Sequence, residues 1–297
     1  TSSATQDQFR SDSVGLYLFE TLKLTEKFQL SGGLRWDYFD AHYHTAAGLF
    51  FERLDKTLTW RAAALYKPAR NGSVYFGYST SVNPSAEGIT LAANNVLLDP
   101  EEARNFELGT KWDFLEERLA LTFALFRTEK TNARTPGLPG ELPMVLAGAQ
   151  RVDGVEAGVA GSLTRKWRVF GGYTFMDSEV EKSNTAIEVG KEIPGVPRHM
   201  FNVWTTYELP WNLEIGGGAQ YQSSAYIDPA NVRVAPDYWL MDAMAAYKVN
   251  THFTLRLNVY NLADEDHYIG TLYTVGSRGQ LIPGARRSAI LTASIKF

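Results

Sequence analysis

The last ten residues of the chain, SAILTASIKF, alternate along their length. One face of an extended segment carries Ala289, Leu291, Ala293, Ile295 and Phe297, and the other carries Ser288, Ile290, Thr292, Ser294 and Lys296. Successive strand side chains point to opposite faces, so this pattern requires one apolar and one mostly polar environment. In a transmembrane β-barrel the apolar face lies against lipid. The pattern therefore predicts the terminal strand of an outer-membrane β-barrel.

The same two-sided pattern recurs along the chain and predicts thirteen strands. They cover residues 13–24, 28–43, 54–67, 73–81, 102–114, 118–131, 149–163, 167–180, 198–209, 213–227, 237–249, 253–262 and 285–297. Charged residues such as Arg35, Glu107 and Arg256 lie in mid-strand on the polar face. In a membrane barrel this face lines the wet lumen. The first strand is the least regular, because Glu20 falls on its apolar face.

Alternation alone also fits a soluble β-sandwich, whose strands have one buried and one solvated face. Aromatic residues near the strand ends favour the membrane barrel, because interfacial belts are built from them. They are Trp36, Tyr38, Trp60, Tyr66, Trp112, Phe114, Trp167, Tyr207 and Trp211. The predicted fold class is therefore an all-β, antiparallel transmembrane barrel.

The predicted connections alternate between short and long. Short turns lie at 25–27, 68–72, 115–117, 164–166, 210–212 and 250–252, and long ones at 45–53, 82–101, 132–148, 181–197, 228–236 and 263–284. Barrels of this class place short turns in the periplasm and have an even number of strands. Thirteen strands entered from outside do not complete such a barrel. We therefore expect residues 1–297 to form the C-terminal part of a larger barrel domain.

Composition narrows the possible functions. The 29 basic and 33 acidic residues are interspersed and sum to −4, which argues against a nucleic-acid partner. The absence of cysteine excludes disulfides, thiolate metal sites and a cysteine nucleophile. Apolar runs fall short of the roughly 20 residues of a membrane helix. Without a nucleophile elbow, a phosphate-binding glycine loop or a His-Glu-x-x-His motif, the sequence predicts no enzyme.

Three segments resemble TonB-dependent outer-membrane receptors, and among them the ferric-siderophore receptors of the catecholate type. They are PEEARNFELGTKWDFLEERLALTFALFRTEKTNAR at 100–134, FTLRLNVYNLADEDHY at 253–268 and PGARRSAILTASIKF at 283–297. The first resembles the strand, turn and strand that follow a long external loop. The other two resemble the family's penultimate and closing strands.

The resemblance implies a 22-stranded barrel with an N-terminal plug, of which this chain would supply strands ten to twenty-two. It implies energy-coupled import of a ferric siderophore, with a TonB-type protein acting on a plug that is absent here. No cofactor is implied, since the iron chelate is the cargo. The alternatives are a passive porin, which needs no plug, and a receptor for another scarce nutrient such as cobalamin.

Candidate ligand contacts follow from the chemistry of such chelates, which are often anionic and aromatic. Arginine and tyrosine side chains at the external mouth suit them. The candidates are Tyr43, Arg134, Tyr226, Arg233, Tyr273 and Arg278. The terminal aromatic Phe297 resembles the signal that the barrel assembly machinery recognises.

Two further clusters have simpler interpretations than a metal site. His42 and His44 are two residues apart and share a strand face, but no third ligand accompanies them, so we interpret them as interfacial. The acidic run at 264–266 lacks EF-hand spacing and is interpreted as a solvated turn. The sequence therefore predicts no metal centre.

Overall fold

The computed structural model describes residues 7–83, 99–136, 144–272 and 280–296. Its strands are β1 Gln8–Lys23, β2 Phe28–His44, β3 Phe50–Ala69, β4 Gly72–Asn83, β5 Glu101–Phe114, β6 Leu119–Pro136, β7 Met144–Ser162, β8 Trp167–Lys182, β9 His199–Glu208, β10 Leu213–Gln222, β11 Ala225–Tyr226, β12 Val234–Ala235, β13 Tyr238–Lys248, β14 Phe253–Tyr260, β15 Tyr268–Leu272, β16 Gln280–Pro283 and β17 Ser288–Ile295. A short 3-10 helix covers Ala186–Glu188. No helix of the described residues is long and apolar enough to span a membrane.

Thirteen of these strands form one antiparallel sheet, in the order β1 to β10, then β13, β14 and β17. Each of the thirteen predicted strands corresponds to one of them. The pairs β11–β12 and β15–β16 form separate two-stranded ribbons within long connections. Among the described strands, β1 and β17 each pair with a single neighbour. They are therefore the two edges of the sheet.

Several predicted boundaries were wrong. The tenth strand was predicted to reach residue 227, but β10 ends at Gln222 and the next residues form β11. The ribbon β15–β16 lies inside a connection that was predicted to have no strands. The strands β6 and β7 extend further toward the external side than predicted, to Pro136 and from Met144.

Cross-strand register keeps apolar residues together on one face of the sheet. Leu18 pairs with Leu34, and Leu34 pairs with Trp60. These side chains are largely exposed, Leu18 to 71%. The one buried cluster described is small and centres on Ala41. A sandwich would bury such a face against a second sheet, so the register and exposure favour lipid as its environment.

The opposite face is polar and carries its own contacts. They include Arg35 with Asp37 at 2.7 Å, Tyr75 with Glu107 at 2.5 Å, and Arg168 with Glu214 at 2.9 Å. Side chains paired in this way suit the wet lumen of a barrel.

Three of the short turns are closed by the same kind of side-chain hydrogen bond. Thr25 Oγ1 accepts hydrogen bonds from the backbone N–H groups two and three residues later, at 3.2 and 3.0 Å. Thr164 Oγ1 does the same at 3.2 and 3.1 Å, and Asn250 Oδ1 at 2.9 and 2.8 Å. Threonine and asparagine favour turns because their short side chains reach nearby backbone groups. These hydrogen bonds thus stabilise the hairpin turns on the periplasmic side.

Candidate functional site: the external rim

Two connections at the external side, 183–198 and 223–237, are bonded to each other. Asn231 links them, because its Oδ1 accepts from the Glu192 N–H at 2.7 Å and its Nδ2 donates to the Glu192 carbonyl at 3.0 Å. The Gly195 N–H also donates to the Tyr226 carbonyl at 2.8 Å. Asn231 and Glu192 are 39 residues apart in the sequence. The two connections therefore form one bonded platform, which we call the rim latch.

A buried carboxylate organises the second connection. Asp228 is only 7% exposed, and its carboxylate accepts three backbone N–H groups. The donors are Ala230 at 3.1 Å, Val232 at 3.3 Å and Arg233 at 2.6 Å. Asn231 within this turn has a φ of 57°, a left-handed conformation that asparagine tolerates better than most residues. The turn therefore fixes the backbone of Arg233.

The latch contains two of the predicted ligand contacts, Tyr226 and Arg233. The strand β11 ends at Tyr226, and the Ile227 N–H donates to the Arg233 carbonyl at 3.0 Å. Tyr226 is half-buried, whereas Arg233 is exposed. The structure thus places both residues in one short ribbon. Their side chains point to opposite faces of it, because Tyr226 pairs with Val234 and Arg233 is the next residue along.

A second bonded junction holds the connection after β14. Asn261 is 4% exposed and its side chain makes three hydrogen bonds. Two join it to the Glu265 backbone at 2.8 Å and one to the Ala285 carbonyl at 3.2 Å. Its own N–H donates to Asp242 on β13 at 2.8 Å. This single asparagine therefore fixes the entry and the exit of the last connection against the sheet.

The acidic run at 264–266 is paired with arginines in this junction. Asp266 lies 2.5 Å from Arg286, and the Asp264 carboxylate accepts the Arg287 N–H at 2.9 Å. These bonds join the two ends of the last connection. The arrangement is that of an ion-paired turn.

Tyr43 lies apart from the latch, at the external end of β2. Its hydroxyl donates to Asp7 at 2.9 Å, and its ring stacks on Phe51. Asp7 also accepts the Ala46 N–H at 2.6 Å. The bond from Ala46, followed by the bond from Tyr43, lowers the pKa of the Asp7 carboxyl. In the strand order β2 lies far from β10 and β13, so the described residues do not bring Tyr43 together with Tyr226 and Arg233.

The remaining predicted residues fall at or beyond the limits of the described structure. Arg134 lies in β6, but its side chain is not described. Tyr273, Arg278 and Phe297 lie outside the described residues. The roles assigned to them stay predictions.

The two histidines flanking residue 43 contact aromatic and acidic neighbours. His42 lies 3.3 Å from Asp40, and both His42 and His44 pack against Phe50. Across the described ranges, no group of three or more His, Cys, Asp or Glu side chains is arranged to hold a metal ion.

Sequence reasoning missed an aliphatic component of the rim, because it searched only for arginine and tyrosine. Val232 is 77% exposed, and Ile187, Val189 and Ile269 are exposed in the other connections. Isolated aliphatic residues inside polar loops were the signal available. They give the rim apolar contact surface beside its charged groups.

Known proteins share this architecture. A family model described as TonB dependent receptor-like, beta-barrel, matches residues 1–262. The probable TonB-dependent siderophore receptor PiuA of Acinetobacter baumannii is 37% identical over 311 residues, covering 96% of this chain and 41% of that protein. The crystal structure of PiuA matches with a TM-score of 0.90 at 36% identity, covering 98% of this chain and 44% of that one.

A second relative is the catecholate siderophore receptor Fiu of Escherichia coli (strain K12). It is 31% identical over 324 residues, covering 97% of this chain and 42% of that protein. The chain thus spans about two fifths of the length of these curated relatives. It belongs to the TonB-dependent receptor-like β-barrel family of the Gram-negative outer membrane, which confirms both the predicted fold class and the predicted location.

Proposed function

We propose that the chain forms wall strands and external loops of an outer-membrane receptor that imports a ferric siderophore. The observation that carries this proposal is the match of nearly the whole chain to receptors named for siderophores. The family is one of receptors rather than of enzymes. The two-faced sheet supports the same function, because it separates a lipid-facing surface from a polar interior.

We propose Arg233 and Tyr226 as ligand contacts of the external rim. A guanidinium binds an anionic chelate by charge-assisted hydrogen bonds, and a tyrosine ring offers an aromatic face. The Asp228 turn supports this role, because a fixed backbone lowers the entropy cost of ordering Arg233 on binding. Tyr43, Arg134, Tyr273 and Arg278 remain candidate contacts on the same chemical grounds. A catecholate as the chelate follows from the likeness to Fiu.

The other partners belong to the whole receptor. We propose that further strands cover the free edges of β1 and β17, giving 22 in total, because an unpaired edge in lipid leaves backbone groups unsatisfied. A plug domain and a TonB-type protein would energise transport. The barrel assembly machinery would recognise Phe297, and lipid would surround the apolar face of the sheet.

Growth under iron limitation tests the proposed import. A strain lacking the full-length gene, complemented with the wild type, should grow on a ferric catecholate only while the proton-motive force is intact. Growth that persists after the force is collapsed would indicate a passive porin. Growth on cobalamin but not on the iron chelate would indicate a receptor for another nutrient.

Substitution of Arg233 tests the rim contact. Arg233→Ala should weaken binding of the ferric catecholate by about tenfold, the loss expected for one charge-assisted hydrogen bond. Arg165→Ala is the matched control, because Arg165 is an exposed arginine in a turn on the periplasmic side. Ligand-induced quenching of tryptophan fluorescence in the purified receptor measures both. Equal affinities for the two variants would contradict the role of Arg233.

A further inference from the structure

On three strands of the sheet, the first charged residue above the apolar band of the outer face is basic. These residues are Lys56 on β3, Arg104 on β5 and Arg127 on β6. The register places them on the outer face, because Lys56 pairs with Tyr38 and Arg127 pairs with Phe106. Between them, β4 has the uncharged Thr80 and Val82 at its outward positions. We call Lys56, Arg104 and Arg127 the outer basic cluster.

The outer basic cluster is bounded by acidic residues and lies away from the edges of the sheet. The corresponding first outward charges are Asp40 on β2, Asp153 on β7 and Asp177 on β8. Each of the strands β3 to β6 pairs with a described strand on both sides. Further strands of the barrel would join at β1 and β17, and a plug would face the inner surface. Neither of them would cover this part of the outer face.

Outward aromatic rings indicate the depth of this cluster in the membrane. The centroid of the Trp60 ring lies 4.7 Å from that of Tyr78, and the Tyr78 centroid lies 4.9 Å from that of Phe106. Rings of this kind mark the boundary between the apolar band and the head groups. Lys56 lies on the external side of Trp60 along β3, and Arg104 lies on the external side of Phe106 along β5. The outer basic cluster therefore lies among the head groups of the outer leaflet.

Two neighbouring carboxylates hold the arginines of the cluster without covering them. The Asp153 carboxylate accepts from Nε and Nη2 of Arg127 at 2.6 and 3.1 Å, and Glu129 accepts from Nε of Arg104. The arginine side chains stay 51% exposed at Arg104 and 48% exposed at Arg127, whereas that of Glu129 is only 18% exposed. The described hydrogen bonds leave Nη1 of Arg127 and both Nη groups of Arg104 for a further acceptor.

We propose that the outer basic cluster binds the phosphate groups of a phosphorylated glycolipid in the outer leaflet. This leaflet of a Gram-negative outer membrane is built mainly from glycolipids whose sugars carry phosphates, and arginine binds phosphate through paired N–H groups. Arg104 and Arg127 donate to the phosphates, Lys56 adds a third positive charge, and the acyl chains lie along the aromatic rings below. Asp153 and Glu129 keep the guanidinium groups oriented, which lowers the entropy cost of binding. The site faces lipid and is separate from the siderophore contacts of the rim.

Native mass spectrometry of the purified full-length receptor tests this site. The delipidated receptor is titrated with diphosphorylated lipid A, with the same lipid after enzymatic dephosphorylation, and with phosphatidylglycerol. The wild type should bind the diphosphorylated lipid most tightly. Arg104→Gln combined with Arg127→Gln should weaken that binding by roughly 25-fold, at about fivefold for each basic residue near an anionic membrane surface. The dephosphorylated lipid should bind the double variant as it binds the wild type. Unchanged binding of the diphosphorylated lipid by the double variant would overturn the proposal.

Two more variants separate phosphate binding from other effects of the substitutions. Lys111→Gln removes a positive charge from the inner face of β5 and should leave lipid binding unchanged. Asp153→Asn breaks the ion pair of Arg127 but keeps the arginine, so it should bind the diphosphorylated lipid at least as tightly as the wild type. An equal loss of binding in Asp153→Asn and Arg127→Gln would refute the phosphate contact, since the ion pair itself would then be what matters. Wild-type binding of phosphatidylglycerol or of the dephosphorylated lipid that equals binding of the diphosphorylated lipid would refute the choice of ligand.

Discussion

Removal of the Asp228 carboxylate should release the rim latch without unfolding the barrel. The side chain is buried and accepts three backbone N–H groups between Ala230 and Arg233. In Asp228→Ala these donors lose their acceptor in a place that water reaches poorly. The sheet strands keep their own ladders, so the effect should stay within the connection 223–237 and its bonded neighbour 183–198.

The size of the effect follows from the three bonds. Each contributes about 1–1.5 kcal/mol net, so their joint loss lowers the free energy of local opening by about 3–4 kcal/mol. At about 1.4 kcal/mol for each factor of ten, the opening constant rises by roughly 10²- to 10³-fold. Asp228→Asn keeps one acceptor oxygen, so its opening constant should lie between those of the wild type and of Asp228→Ala.

Hydrogen–deuterium exchange of the folded full-length receptor measures this change. Peptides that contain residues 229–233 and 190–195 should lose protection, whereas peptides from β10 and β13 should not. Asp237→Ala is the matched control, because Asp237 is an exposed aspartate in the same connection. If Asp228→Ala leaves protection of residues 229–233 as in the wild type, the carboxylate does not hold this turn.

Three further changes follow from the structure. Asn261→Ala removes three side-chain hydrogen bonds and should speed proteolysis of the last connection by about tenfold or more, as read by limited trypsin digestion. Because hydrogen bonds lower the pKa of Asp7, its contribution is present above the ordinary value of 3.8 and is lost as the pH falls through the lowered pKa. The protection factor of the Ala46 amide, which is the exchange rate relative to that of the unfolded chain at the same pH, should therefore fall at acid pH, and a protection factor that stays constant would refute this. Gly218→Ala would place a methyl 2.5 Å from the Trp204 ring and should lower the unfolding free energy in urea by about 1–3 kcal/mol. Gly217→Ala, whose nearest atom is 3.5 Å away, should change it little.

The strand order was predictable because its determinants are local. Side chains alternate with period two wherever one face meets lipid, and Thr25, Thr164 and Asn250 close their turns through neighbours two and three residues away. The strand ends were less predictable. Alternation continues past Gln222, but the chain leaves the sheet there because Ser223 bonds to His199 through both its backbone and its hydroxyl. Alternation along a single segment carries no information about such a partner.

The external site was predictable only as a set of residue types. Arginine and tyrosine in long connections pointed to Tyr226 and Arg233, but not to their proximity within one ribbon. That proximity depends on Asp228 and on the bonds from Asn231 to Glu192, which lie far apart in sequence. Tyr43 was grouped with them because it also ends a strand, whereas strand order separates it from them. Contacts between connections are set by the order of the strands beneath them rather than by either segment alone.

The strands β6 and β7 rise above the membrane because the outward face changes character along each strand. A tilted strand needs about 9–11 residues to cross a bilayer, and these strands have 18 and 19. Toward the external end of these strands, the face that carries apolar residues lower down carries charged residues instead. Those charged side chains form ion pairs with side chains of the neighbouring strands. The pairs are Arg104 with Glu129, Arg127 with Asp153 at 2.6 Å, and Arg151 with Glu179 at 2.8 Å.

Each such exposed pair contributes only about 0.2–1 kcal/mol, but the pairs are linked, since Arg151 also bonds Asp153 and Glu181. A charged network of this kind cannot enter hydrocarbon without a large penalty, so it fixes the upper edge of the apolar band. The sheet above that edge is a water-exposed collar, which holds the rim connections clear of the lipid.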